Sequence, residues 1–316
     1  MKFSPKATIA AALMTLAAAS SAHALTVYSS VDEENAKKLL DAFTKATGVE
    51  TQMVFLSSGP ALSRIEAEKA NPQADVWFGA PSENHILAKE RGLTEPYASA
   101  NASALSDEFK DKEGYWHAIY TNPLAVGVRT DILESRKAPV PASWEDLKNP
   151  AYKGLIQMPS PQSSGTAYAV ILTLIQQRGE DAAFTYLKEL NPNIQTYTQS
   201  GTAPSGALGV GETPLAIQFT PGFLKLADEG YPVKVVFPSE GVGYEVASMS
   251  ILKGAKDGQG ALSATKTYFL PIRSDVSGGT GVPTLDQIKL VASDPKFAAE
   301  NKKRLVERWA KDVLGQ

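Results

Sequence analysis

Along most of the chain, short apolar runs alternate with stretches in which apolar residues recur at helical spacing, the rhythm of strands followed by helices. Leu25 to Tyr28 reads as a strand ending in Ser29-Ser30, and Ala36, Leu39, Leu40 and Phe43 then mark one helix face, stopped by Gly48. Val49, Thr51, Met53 and Phe55 alternate as a second strand, which runs through Leu56-Ser57-Ser58-Gly59-Pro60 into a helix reaching about Ala70. Asp75 to Phe78 is a third strand, ending at Gly79-Ala80-Pro81-Ser82 before a helix to Arg91. All three strands thus end in small polar turns. In an open parallel sheet ligands bind at the carboxyl ends of strands, so these turns are expected to line one edge of a cleft.

Near Tyr115 the rhythm changes. Tyr115 to Tyr120 and Pro123 to Arg129 read as two strands joined at Thr121-Asn122 without an intervening helix, the expected crossing into a second unit. Ser143-Trp144-Glu145-Asp146 has the form of a capping box opening a short helix. A strand from Leu155 to Met158 leads through a hydroxyl-rich turn into an apolar helix ending near Arg178, and a helix carrying Ala182, Ala183, Tyr186 and Leu187 follows. A strand from Ile194 to Tyr197 leads through a second hydroxyl-rich turn into a Gly-rich helix. Leu215 to Phe219 and Lys234 to Phe237 are further strands, and Glu245 to Leu252 reads as a return strand. The second unit is therefore expected over residues 121–244, inserted in a first unit of 25–120 and 245–316. The remainder is expected to be helical: Leu262 to Phe269, Thr284 to Val291, and a long helix from Phe297 to Leu314 that buries Leu305, Trp309 and Val313.

The two hydroxyl-rich turns share Ser-Gly-Thr-Ala, at Ser164-Gly165-Thr166-Ala167 and at Ser200-Gly201-Thr202-Ala203. The first turn of a helix has unpaired N–H donors and a partial positive charge, glycine lets backbone approach a ligand, and hydroxyls add donors. Ser164 and Ser200 either cap their helices or help to hold an anion. The recurrence of the arrangement favours the anion.

Residues 1–24 have a different character from the rest. Lys2 and Lys6 precede a small apolar run from Ala7 to Ala18, and Ala22-His23-Ala24 is an A-x-A cleavage site, the pattern of a secretory signal peptide cut after Ala24. That segment holds two lysines and no acid, so its removal takes the formal net charge from −3 to −5. The sequence has no cysteine, which excludes disulfides, a thiolate metal site and a lipoprotein anchor. No basic run points to nucleic acid.

Catalytic signatures are missing too. The G-x-S-x-G elbow, the Walker loop and the H-E-x-x-H motif are absent, and beyond residue 24 the histidines are His85, expected at the surface, and His117, expected to be packed in a strand. An enzyme is not expected, a periplasmic hydrolase being the alternative of another class, and neither a cofactor nor a metal site is expected. Tyr28, Trp77, Phe78, Phe219 and Tyr244 fall near strand ends, where they either pack the core or wall a pocket.

Several stretches together resemble the type II periplasmic solute-binding proteins of ABC importers. They are the signal peptide, Leu25 to Ser30, Asn71 to Trp77, Trp144 to Leu147, Ser163 to Thr166 and Ser200 to Pro204. Within that family the chain is most similar to the branch of ferric-ion, organophosphate and 2-aminoethylphosphonate binders. The resemblance implies an α/β protein of two lobes, mixed sheets flanked by helices, with a ligand cleft between the lobes. It also implies a monomer in the periplasm that passes a small anionic ligand to an inner-membrane permease. Ser164, Gly165, Thr166, Ser200, Gly201 and Thr202 would hold the anionic group, and Ser29, Ser30, Ser58, Gly59 and Ala80 would face it. Gln218, Thr220, Tyr244 and Glu245 would read the rest of the ligand, with Glu245 suited to an amine. Iron binders of the branch use a tyrosine pair where this chain has Gln218-Phe219-Thr220-Pro221, which makes ferric iron the runner-up. Sugar-phosphate members carry a His-Asp pair where Thr220-Pro221 stands, so a phosphonate fits at least as well.

Overall fold

The computed structural model describes residues 24–97, 102, 105–255 and 287–316. Residues 1–23 of the expected signal peptide and the helix expected over Leu262–Phe269 lie outside the described residues.

The first alternation gives β1 (Leu25–Ser29), α1 (Glu33–Thr47), β2 (Thr51–Phe55), α2 (Ser58–Ala67), β3 (Val76–Pro81) and α3 (Ser82–Glu90). Helix α1 illustrates how local sequence sets these bounds. Asp32 accepts the Asn35 amide at its start, Gly48 takes a left-handed φ of 76° at its end, and Ala36, Leu40 and Phe43 are buried between. Strand β1 lies between β2 and β3, parallel to both. All three strands therefore deliver their carboxyl ends to the same edge.

A short strand β4 (Thr94–Glu95) then precedes β5, which runs unbroken from His117 to Arg129 where the sequence suggests two strands. Thr121 and Asn122 look like a polar break, yet both are buried and bonded to the neighbouring strand. Thr121 Oγ1 donates to the Glu245 carbonyl at 2.6 Å, and Asn122 Nδ2 donates to Glu245 Oε1 at 2.8 Å. The partner changes at Pro123, which has no N–H. Before it β5 pairs with β10 (Tyr244–Leu252); beyond it, β5 pairs with β8 (Leu215–Phe219) and β9 (Val233–Val236). One strand thus joins two sheets.

The second sheet continues from β8 to β6 (Ile156–Pro159) and β7 (Ile194–Thr198), which run parallel to one another. Its helices are α4 (Thr130–Ser135), α5 (Gly165–Arg178), α6 (Glu180–Leu190), α7 (Ala203–Gly209) and α8 (Pro221–Asp228). The capping box forms over a 3-10 turn: the Asp146 amide donates to Ser143 Oγ at 3.0 Å and the Ser143 amide to Asp146 Oδ2 at 3.1 Å. The helix expected over Thr284–Val291 is not formed where it is described. There Leu290 bridges Val242, and the Val291 amide bonds the Val242 carbonyl at 2.8 Å.

The C-terminal helix α9 (Pro295–Trp309) continues into a π-helical turn over Ala310–Leu314. Leu305, Trp309 and Val313 are buried, and they join Leu124, Val126, Tyr168 and Leu174 in the core of the second sheet. The same helix also touches the first sheet's layer, for Lys302 donates to Asn84 of α3. His85, expected at the surface, is fully buried in α3. Its Nδ1 lies 2.8 Å from Ser250 Oγ and its Nε2 2.6 Å from the Gly79 carbonyl, and burial pushes its pKa down to about 4, so the ring is neutral. It braces the turn at the end of β3, where Gly79 and Ala80 both have positive φ.

Candidate functional site

The carboxyl ends of β1, β2 and β3 face those of β6, β7 and β8 across a cleft of about 320 Å³. From the first sheet Ser30, Ser58 and Ala80 line it; from the second come Ser164, Thr166, Ser200, Gly201, Thr202 and Gln218, and from β10 comes Glu245.

The two Ser-Gly-Thr turns, thirty-odd residues apart in sequence, meet in space. A Cβ built on Gly201 would lie 2.5 Å from Thr166 Oγ1 and 2.8 Å from Ser164 Oγ. Only glycine permits that approach. Ser164 begins α5 without capping it through its side chain, and neither Ser164 Oγ nor Thr166 Oγ1 has a hydrogen-bond partner among the described residues. In the second turn the Ser200 and Thr202 hydroxyls lie 3.1 Å apart, and Ser200 Oγ accepts the Thr202 amide at 3.3 Å. Unpaired helix amides and four hydroxyls therefore converge on one wall, a set of donors suited to a tetrahedral anion.

The crossing strands supply a different chemistry. Glu245 is buried beside Asn122, and burial raises its carboxyl to about 8, only partly offset by the Asn122 hydrogen bond. Asn122 Oδ1 is buried with no partner among the described residues. Both groups line the cleft. Acceptors thus gather on the crossing strands while donors gather on the turns.

Five expected residues do not line the cleft. Ser29 turns its hydroxyl back to the Val31 backbone, 3.2 Å away. Thr220 is fully buried behind β8, and Tyr244 sits in the β5–β10 ladder opposite Pro123. Gly59 and Gly165 lie between the two walls: the Gly59 amide donates to the Ser163 carbonyl at 3.2 Å, and the Gly165 amide to Ser58 Oγ at 2.9 Å. Gln218 lines the cleft but spends its Oε1 on the Ser205 amide, at 2.9 Å. Of the aromatic candidates, Tyr28, Trp77 and Phe78 are core residues, and Phe219 lines the cleft.

Sequence reasoning missed Asp32, Tyr120, Asn122 and Lys225, all of which line the cleft. Lys225 is the one basic residue among the described lining residues, and from α8 it forms an ion pair with Glu34 of α1 across the cleft. Hydrogen bonds from Lys225 and Lys38 hold the Glu34 carboxyl down at about 2. The signal for α8 was present in Pro221, a residue favoured in the first helical turn, followed by Phe223 and Leu226.

Residues 72–270 match a family described as bacterial extracellular solute-binding protein. The periplasmic binding protein AfuA of Actinobacillus pleuropneumoniae, solved with exogenous fructose-6-phosphate bound, is 32% identical with a TM-score of 0.86, over 92% of this chain and 98% of that one. A candidate 2-aminoethylphosphonate-binding periplasmic protein of Salmonella paratyphi A is 28% identical over 258 residues, 75% of this chain and 74% of that protein. The ferric binding protein from Campylobacter jejuni shares the fold, with a TM-score of 0.74 at 21% identity over 91% of this chain and 99% of that one.

Proposed function

The chain belongs to the bacterial extracellular solute-binding proteins, and on that premise we propose that its cleft captures a small phosphate- or phosphonate-bearing organic anion for an inner-membrane ABC permease. The observation that carries this reading is the convergence of the two Ser-Gly-Thr turns at Gly201, which sets the Ser164, Thr166, Ser200 and Thr202 hydroxyls around the start of α5. Those donors hold the phosphoryl oxygens, each charge-assisted hydrogen bond contributing about 1.5–3 kcal/mol. Ser30 and Ala80 face the group from the opposite wall. Glu245 and Asn122 read the other end of the ligand, which carries a hydrogen-bond donor such as an ammonium or hydroxyl group. Ligands of both kinds, 2-aminoethylphosphonate and fructose-6-phosphate, belong to the similar proteins by name.

Residues 25–120 with 245–316 form one lobe and 121–244 the other, with α9 spanning both, and the protein acts as a periplasmic monomer after cleavage behind Ala24. It binds and releases its ligand unchanged. Ferric iron is the second reading, supported by the shared fold alone. The cleft suits iron poorly: Tyr120 is its buried tyrosine, burial raises that phenol well above its ordinary value, and a protonated phenol is a weak ferric ligand.

A thermal-shift panel tests the reading. A ligand at ~100 times its Kd adds about 2.7 kcal/mol to the bound fold. Melting should therefore rise with 2-aminoethylphosphonate or a sugar phosphate and stay fixed with ferric citrate. A rise with ferric citrate and none with any phosphate or phosphonate would promote iron.

A further inference from the structure

Two of the glycines that sequence reasoning gave to the ligand do something else. Gly165 opens α5 on one wall of the cleft, and its amide donates to Ser58 Oγ, at the head of α2 on the other wall. A Cβ at Gly165 would stand 2.8 Å from Ser58 Oγ and 3.0 Å from the Pro81 ring. Next to it the Gly59 amide donates to the Ser163 carbonyl, and a Cβ at Gly59 would stand 3.0 Å from that same oxygen. Each wall thus places a glycine against a polar group of the other. Neither glycine has the positive φ that would explain it by backbone conformation. Close approach is what demands glycine here.

We propose that Gly165–Ser58 and Gly59–Ser163 form the closing seam of the cleft, a direct contact between the walls in which Ser58 serves as the coupling residue. A hydroxyl accepts and donates at once. Ser58 accepts the Gly165 amide with one lone pair, which leaves its O–H to donate into the cleft that it also lines. An anion on the hydroxyl-rich wall therefore aligns Ser58 for the seam, and the seam holds the wall over the anion. Gly59, Gly165 and Ser163 are positioning residues that act through this closure. The coupling rests on the anion-binding reading; the seam itself does not.

The test uses Gly165→Ala. Alanine is a better helix former than glycine, so the variant should melt no lower than wild type. Its methyl group should nevertheless wedge the walls apart and weaken 2-aminoethylphosphonate or fructose-6-phosphate binding by about tenfold or more. The sequence has no cysteine, so single cysteines placed at Lys37 and Val210, both well exposed, can carry spin labels on the two sides of the cleft. Wild type should show a short-distance population that grows with either probe. Gly165→Ala should lose it, Gly59→Ala should lose it as well, and Ser58→Ala in the Gly165→Ala background should restore part of it by making room. Distance distributions in both glycine variants identical to wild type would overturn the seam. If the wild-type protein answers no phosphate or phosphonate probe, the anion reading fails, while the ligand-free distributions still decide the seam.

Discussion

Glu245 is the residue whose environment makes the sharpest demand. Its carboxyl titrates near 8 in the fold and near 4.5 when exposed. Between those values the folded chain keeps a proton that the unfolded chain has released, so this group's contribution to stability falls as pH rises from about 4.5 to 8 and then levels. Glu245→Gln removes that cost. In urea unfolding the variant should gain on wild type steadily across this window, and a constant difference between the two would contradict the assignment. The same substitution should weaken binding of 2-aminoethylphosphonate by about tenfold more than that of methylphosphonate, because only the first carries an ammonium for the carboxylate. Equal losses would remove the ammonium role. Residues of this kind were only partly legible in sequence. Ser164, Thr166, Ser200 and Thr202 announced themselves through a repeated local motif, whereas Asn122 and Lys225 belong to the cleft through partners at Glu245 and Glu34, more than a hundred residues away.

At the scale of elements, local rules worked wherever the determinant was local. Gly48 ends α1, Ser143 and Asp146 cap each other, and β8 spans Leu215–Phe219 as its apolar run indicates. They failed where a tertiary partner overrode composition. The polar pair Thr121-Asn122 reads as a break but is carried through β5 by bonds to Glu245. His85 reads as a surface position on a weakly amphipathic helix and is instead buried between Gly79 and Ser250. The C-terminal helix makes a testable case. Trp309 is fully buried in the second sheet's core and meets Tyr197 edge to face with ring centroids 5.0 Å apart. Trp309→Ala should cost about 3–5 kcal/mol in urea unfolding. A cost below about 1 kcal/mol would mean that α9 is an appendage to that core rather than part of it.

The whole molecule turns two walls of similar construction, each made of parallel strands ending in small polar turns, towards one another through β5 and β10. That architecture was foreseeable from the alternation of strands and helices, but the meeting of the turns was not, since no periodicity encodes the distance between residues 166 and 201. An acidic protein holds an anion here because hydroxyls and helix amides act at contact range, while the distant net charge is screened. The account therefore stands on those hydroxyls. Its most direct test is isothermal titration of the best phosphate or phosphonate ligand into wild type and into the double variant Thr166→Val, Thr202→Val, which keeps side-chain size and deletes two donors. The variant should fold normally and bind with a loss of about 1.5–3 kcal/mol per hydrogen bond removed. An affinity equal to wild type would contradict the claim that the converging turns hold the ligand.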